Sequence, residues 1–375
     1  MNLNSSAMFA AAAALRQQAV EARWLRDQSD DYHRAIVHAG FDGETLDVAL
    51  KNTQEASTSL NAPAERMSIA ATVLELFATL QQRTERLLIS NLSENLMVNL
   101  NSLGAALDWA CARSIDALCT PSAAPPPRRL DDFGELSLDA IHELNMAQAP
   151  PEIRALADAN ADLYLLEVGE DTMVAIIDPH GVKTQPSSVT TFVEGVGSSE
   201  QSRWPTAIER SRSIAHATGG VTALWLGYNA PDNLSGAVHA APAQAAGAEL
   251  ARFQRSLSSR FPAAKKVVTG YSYGSVVSGY AAREGLAADE LLLVGSPGAG
   301  VPHSSLLGFD GPVVAVTSDG DPISFTGGNY GGVHGVDPTA PMFGAQPFPT
   351  RPKGSHSSYW TDPEFLEGLR IIATR

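Results

Sequence analysis

Ser272 stands in the pentapeptide Gly270-Tyr271-Ser272-Tyr273-Gly274, between an apolar run holding Val267 and Val268 and a small-residue stretch from Ser275 to Arg283. A serine at such a strand-to-helix corner is held at a strained backbone angle with its hydroxyl lifted clear of the sheet, the geometry of a nucleophile elbow. Gly270 and Gly274 suit the corner because a Cβ at either position would meet the neighbouring strand or helix. The helix start beneath the serine favours negative charge forming above it. The pentapeptide alone is a weak signal: with 31 glycines in 375 residues, G-x-S-x-G arises by chance about 0.2 times in such a chain. Its flanks and its partners must carry the assignment.

A hydroxyl attacks a carbonyl only when a base takes its proton. Behind such a corner the expected order is serine, acid, histidine, which leaves His303, His334 and His356. His356 is the best placed, in the small polar loop Gly354-Ser355-His356-Ser357-Ser358-Tyr359 that follows the last strand and precedes a helix expected from Asp362. His334, among glycines in Gly332-Val333-His334-Gly335, is the rival and could equally line a substrate pocket with Tyr271 and Trp225; His303, after Pro302, reads as a surface residue. The acid should leave the end of a strand beside the elbow strand. Val313 to Thr317 runs into Ser318-Asp319-Gly320-Asp321-Pro322. Asp321 is preferred to Asp319 because the following proline holds it extended. Acyl transfer also needs two backbone donors for the developing oxyanion. One is expected from Tyr273, the other from Val196 or Gly197 in the glycine-rich loop Glu194-Gly195-Val196-Gly197-Ser198-Ser199. No lysine follows these glycines, which argues against a phosphate loop.

The elements that must position these groups occupy the C-terminal two thirds of the chain. Strands are expected at Leu163 to Val168, Met173 to Asp178, Ser188 to Val193, Ala223 to Tyr228, the elbow strand from Lys265, Leu291 to Val294 and Val313 to Thr317, with helices at Pro205 to Ala217 and Pro242 to Ser258. Strands alternating with helices predict a largely parallel sheet covered on both faces. Residues 327–332, GGNYGG, read as a flap. Residues 1–120 differ: they are rich in Ala, Leu, Gln and Glu, and helices are expected at Met8 to Asp27, Glu44 to Ser57 and Glu94 to Leu118. Ile69, Val73, Leu76, Phe77 and Leu80 share one helical face. The prolines of residues 121–130 lack donors for either ladder, so this stretch reads as a linker ahead of a domain over residues 131–375.

A net charge of −15, from 26 Lys and Arg against 41 Asp and Glu, repels phosphates over most of the exterior and argues against a nucleic-acid or anionic-membrane surface. Cys111 and Cys119 are the only cysteines, too few for a disulfide framework, and read as buried thiols. No segment reaches the roughly 18 apolar residues of a membrane span. The apolar stretch Ala7 to Leu15 precedes the first basic residue, Arg16, and so lacks the charged start of a signal peptide. A cytoplasmic location is expected, with leaderless secretion as the alternative.

The elbow, VEGVGSS at 193–199, WLGYNAP at 225–231, LVGSPGAG at 293–300, GDPIS at 320–324, HGVDP at 334–338, FGA at 343–345 and HSSYW at 356–360 occur in one order. In this the chain resembles the actinobacterial α/β-hydrolase family formerly classed as a domain of unknown function, over roughly residues 130 to 375. The loop after the third strand reads Glu194-Gly195-Val196-Gly197, where the family pattern more often reads proline-glycine-threonine-glycine. The resemblance implies an α/β-hydrolase fold, a mostly parallel doubly wound sheet, behind an N-terminal all-α region. It also implies a triad of Ser272, Asp321 and His356, and an N-terminal region similar to small helical-hairpin secretion substrates. The expected activity is that of a serine esterase acting on a small-molecule ester through an acyl-enzyme, which calls for no metal or organic cofactor. The alternative is a non-catalytic binding or secretion-associated protein with a protein partner docked on its N-terminal helices. A metal-assisted site from His334, Asp337 and Asp321 matches no established ligand spacing.

Overall fold

The structure, a computed structural model, describes residues 4–38, 50–52, 54, 57–58, 60–88, 94–119, 129–134, 136–233, 236–325 and 332–375. Most of the helix expected at Glu44 to Ser57, residues 121–128 of the linker, and residues 327–331 of the flap lie outside this set. The chain divides into two units, Met1–Pro126 and Pro127–Arg375.

The first unit contains helices α1 (Ser5–His38), α2 (Asn61–Leu88) and α3 (Glu94–Cys119). On α1 the buried residues are Ser5, Met8, Ala12 and Ala19, spaced three, four and seven apart as in a coiled-coil seam. Met8 and Ala12 meet Ala71, Leu74 and Ala78 of α2, and Cys111 of α3 completes the cluster. The seam is closed at one end by Ser5, whose amide and hydroxyl both donate to Glu85. Of the helical face Ile69, Val73, Leu76, Phe77 and Leu80 read from the sequence, Val73 and Phe77 pack partly buried against this cluster, but Ile69 and Leu76 face outward. Ile69 is 43% and Leu76 58% exposed, while the buried ridge is Ala64, Ala71, Leu74 and Ala78. Alanines let two helix backbones approach closely, so the seam follows the small residues and leaves the larger ones at its margin.

In the second unit, Ser137 caps α4 (Leu138–Gln148) by accepting from the Ala140 amide, and Pro151 opens α5 (Pro151–Asp158) at the position where a missing N–H costs nothing. Eight strands follow: β1 (Leu163–Val168), β2 (Met173–Ile177), β3 (Ser188–Val193), β4 (Val221–Leu226), β5 (Lys265–Tyr271), β6 (Glu290–Val294), β7 (Val313–Val316) and the two-residue β8 (Gln346–Pro347). Their order in the sheet is β1-β2-β4-β3-β5-β6-β7-β8. The first three strands pair antiparallel and the rest parallel. Strands β2 to β7 are buried almost throughout, as a sheet covered on both faces requires. Helix α6 (Trp204–Thr218) packs with α9 (Pro363–Thr374), and α7 (Ala241–Arg260) with α8 (Tyr273–Arg283).

Two features of this sheet position the site. Strand order reverses between β3 and β5, where Val193 lies beside Gly270, and ligand crevices in open α/β sheets form at the carboxyl ends of strands at such a reversal. Beyond it the register runs Tyr271 to Val294 to Val316, so the loops leaving β5, β6 and β7 start level with one another. The alternation of strands and helices, and the mostly parallel doubly wound sheet expected from it, are the observed architecture.

Candidate active site

Ser272 is the one non-glycine residue with positive φ, 53°, among the described residues, and it is the N-cap of α8. Such a conformation costs an L-residue on the order of 1–3 kcal/mol and persists only where its surroundings enforce it. They do so through contact: a Cβ on Gly274 would lie 2.2 Å from the Val193 carbonyl oxygen, and one on Gly270 2.7 Å from the Ser275 Cα. Behind the corner the Ser275 hydroxyl lies 2.5 Å from the Ser272 carbonyl oxygen and 2.6 Å from the Ser296 hydroxyl. The Ser272 amide donates to Val294 of β6 at 2.9 Å. The corner is fixed by both neighbouring strands.

His356 Nε2 lies 3.0 Å from Ser272 Oγ, and its Nδ1 lies 2.8 Å from Asp321 Oδ2. The loop that carries the histidine is anchored by Asp362. One carboxylate oxygen accepts from the amides of Lys353 and Gly354, and the other caps α9 through Glu364 and Phe365. Of the two candidate acids, Asp321 is 2% exposed and faces the imidazole, whereas Asp319 is exposed with its amide turned to the Pro352 carbonyl. Burial pushes the Asp321 carboxyl up, but hydrogen bonds from His356, Tyr359 and the Ile323 amide outweigh it and hold the group below the ordinary carboxylate value.

Tyr271 lies under the imidazole at 5.1 Å between ring centroids, and its hydroxyl donates to the His356 carbonyl at 2.6 Å. The Arg210 guanidinium sits 5.3 Å above the same phenol and pairs at 2.8 Å with Glu194, whose side chain is 9% exposed. Glu194 Oε2 also accepts from the Gly195 amide, so the loop after β3 is tied to α6 by a charged pair. That loop touches the serine: a Cβ on Gly195 would lie 2.8 Å from Ser272 Cβ. Of the expected oxyanion donors, the Tyr273 amide opens α8. The Gly197 amide is already bonded to the Pro231 carbonyl at 2.8 Å and is not available, a correction to the expected pair of loop donors. The position before it, Val196, remains the loop's candidate.

Two expected pocket residues lie elsewhere than the sequence suggested. His334 is buried, with Nε2 bonded to the Ala237 carbonyl and its ring edge-on to Tyr273 at 5.5 Å. It tethers the segment before α7 rather than facing Ser272 as a base. Trp225 stacks on Tyr228 and lines a separate cavity of about 300 Å³ with Glu167, Glu249 and Arg252, on the α7 side of the sheet. His303 is exposed and caps a 3-10 turn through Ser305. Among the described residues no group of three or more His, Cys, Asp and Glu is placed to hold a metal ion, and no helix is long and apolar enough to cross a membrane.

Sequence reasoning assigned no role to two residues at this site. Tyr359 donates to Asp321 Oδ2 at 2.6 Å, and Gly295, with φ 51°, passes so close that a Cβ would lie 2.8 Å from the same oxygen. Their only sequence signal was membership of the HSSYW and LVGSPGAG segments.

The sheet order, the strained serine at its reversal and the helices on both faces define an α/β-hydrolase fold, and residues 171–328 match the family described as "Alpha/beta hydrolase". Over 88 residues the chain is 38% identical to an uncharacterized protein of Mycobacterium bovis and equally to one of Mycobacterium tuberculosis, a stretch that covers 23% of this chain and 33% of theirs. The chain thus spans about a third of the length of these curated relatives. Solved structures similar to it include a Rhizomucor miehei esterase, 15% identical over 72% of this chain and 94% of that one with a TM-score of 0.38. A Xanthomonas campestris α/β serine hydrolase without a lid is 16% identical over 57% and 96%, with a TM-score of 0.36.

Proposed function

We propose that the chain is a serine hydrolase that cleaves a carboxylic ester, of a lipid or a small acyl group, through an acyl-enzyme. The observation that carries the reading is the line of two hydrogen bonds from Ser272 Oγ through the imidazole to a buried carboxylate, beginning at a serine with φ 53°. Ser272 Oγ attacks the ester carbonyl while His356 Nε2 takes its proton. Asp321 holds the ring with Nδ1 protonated and stabilises the imidazolium. The carbonyl electrons move onto oxygen, which the amides of Tyr273 and Val196 receive. The C–O bond to the alcohol breaks as His356 returns the proton to it. Water then repeats the sequence on the acyl-enzyme, releasing the carboxylic acid and restoring the serine. The helix start under Ser272 favours the negative charge of both tetrahedral intermediates.

A cytoplasmic site of action belongs to the same proposal. The test is labelling by a fluorophosphonate probe together with hydrolysis of p-nitrophenyl esters of graded chain length, by the native chain and by Ser272→Ala. Labelling and turnover that vanish in the variant are expected. A native chain that neither labels nor turns over leaves the alternative, a hydrolase-fold protein that binds rather than cleaves.

A further inference from the structure

We propose that Tyr359 is a positioning residue of this site: its phenol grips the Asp321 oxygen that His356 uses, and so sets the direction and strength of the imidazole's partner. The inference rests on the serine-hydrolase reading above.

Asp321 Oδ2 is shared by His356 Nδ1 at 2.8 Å and the Tyr359 hydroxyl at 2.6 Å, while Oδ1 accepts from the Ile323 amide at 2.9 Å. The Tyr359 oxygen in turn lies 2.9 Å from the Ser318 amide. An amide N–H can only donate, so the phenol's single proton cannot lie along that line and is directed at the carboxylate. Tyr359 is 1% exposed; burial and the hydrogen bond to Asp321 push its ionisation upward, so it stays a donor wherever the imidazole titrates. The ring is held by Phe365 at 5.2 Å and Tyr271 at 6.2 Å, both edge-on. Tyr359 thus clasps both ends of the loop from Ser318 to Asp321, and it arrives on the segment that delivers His356, three residues earlier.

Two hydrogen bonds on one oxygen divide its charge between them. Without the hydroxyl, more of the charge on Oδ2 faces the imidazole, the imidazolium is better stabilised, and His356 keeps its proton to higher pH. The freed carboxylate also loses one of the contacts that fix its direction. Among the described residues the charged and titratable groups near the pair include Tyr271 beneath the ring, Arg210 above Tyr271, Glu194 paired with Arg210, and the exposed Asp319 of the same loop. None of them changes when only the phenol oxygen is removed.

The experiment is Tyr359→Phe, with kcat and KM for a p-nitrophenyl ester measured from about pH 5 to about pH 9, where an imidazole titrates, alongside the fluorophosphonate labelling rate and the melting temperature. A fall in kcat of about tenfold with KM little changed is expected, and a shift of the acid limb of kcat/KM upward by about half a pH unit. A purely structural role lowers the melting temperature and leaves the limb where it was, and that result overturns the inference. Placing 3-fluorotyrosine at position 359 keeps the shape and strengthens the donor, and so gives a folded variant even if Tyr359→Phe is unstable. The limb then moves downward, and an unmoved limb again overturns the proposal. A native chain without turnover or labelling overturns both readings; a variant indistinguishable from an active native chain overturns this one alone.

Discussion

Gly295→Ala places one methyl group against the hydrogen bond between the proposed base and its acid. Gly295 follows β6 at φ 51°, its amide donating to Val316 at 2.9 Å, and a Cβ there would stand 2.8 Å from Asp321 Oδ2 and 3.2 Å from His356 Cε1 and Nδ1. A relaxed carbon–oxygen contact is about 3.3 Å, so the carboxylate must retreat by about half an ångström. The bond from His356 Nδ1 is now 2.8 Å; because the retreat is directed across that bond, it lengthens it to only about 3.0 Å but swings the carboxylate oxygen off the line of the imidazole N–H. A 1 Å misplacement in an active site costs about a hundredfold, so a kcat loss between about tenfold and about a hundredfold is expected, with KM little changed. Alanine in the left-handed region costs a further ~1–2 kcal/mol of stability, or a melting temperature lower by about 2–8 °C in a unit of this size. Gly308→Ala separates the two effects, because Gly308 has φ 65° and nothing within 4 Å of its added Cβ. It should lose comparable stability and keep its kcat. Steady-state kinetics on a p-nitrophenyl ester and thermal melts of both variants decide the matter. A folded Gly295→Ala with native kcat means that Asp321 and His356 do not act where the structure brings them together.

Ser272→Ala should abolish fluorophosphonate labelling and ester turnover while leaving the melting temperature equal or higher, because the strained residue loses its hydroxyl and not its fold; residual labelling at another residue would remove Ser272 from the mechanism. The Asp321 carboxyl is held below its ordinary value of 3.8, so the stability it contributes is present above that value and is lost as pH falls through the lower folded one. Asp321→Asn should therefore lose less stability than the native chain in urea titrations between about pH 4 and about pH 2, and equal losses would contradict the assignment. Arg210→Ala strands the Glu194 carboxylate, whose side chain is 9% exposed, and should cost about 3 kcal/mol in urea unfolding. Adding Glu194→Gln should recover part of it, and a single variant as stable as the native chain would show that the pair does not hold the β3 loop.

What the sequence made legible was whatever local constraint writes into consecutive residues. The elbow could be read because its glycines, its serine and the apolar run before it all answer to one corner, and the buried strands because each is a short apolar run between turn residues. The apolar face of α2 was legible only in part: Val73 and Phe77 pack against the seam, but hydropathy weights Ile69 and Leu76 above alanine, whereas the seam is chosen by how closely α1 can approach Ala71 and Ala78. Trp225 was drawn towards the site because one strand does not reveal which of its faces looks at which helix, and it proved to face the α7 side. The Gly197 amide was lost to a carbonyl from a different loop, Pro231, a partner no local pattern announces.

Tyr359 and Gly295 belong to the same case, and the sheet explains why. Their meaning depends on β5, β6 and β7 ending level, through the pairs Tyr271 with Val294 and Val294 with Val316, because only then do three loops open onto one point. From that register the rest follows by exclusion of volume. A residue leaving β6 beside Ser272 must pass under whatever Asp321 and His356 build above it, and at a contact of 2.8 Å it can carry no side chain. The carboxylate arriving from β7 lies buried beside the segment that carries His356, so the donor that shares its charge comes from that segment, as Tyr359 does. A serine, a histidine and an aspartate can be named from residue types at known spacings, but the glycine that makes room for them and the phenol that orients them are consequences of strand order. That order, with β3 beside β5 and β4 outside them, is a property of the folded sheet and not of any window of the chain.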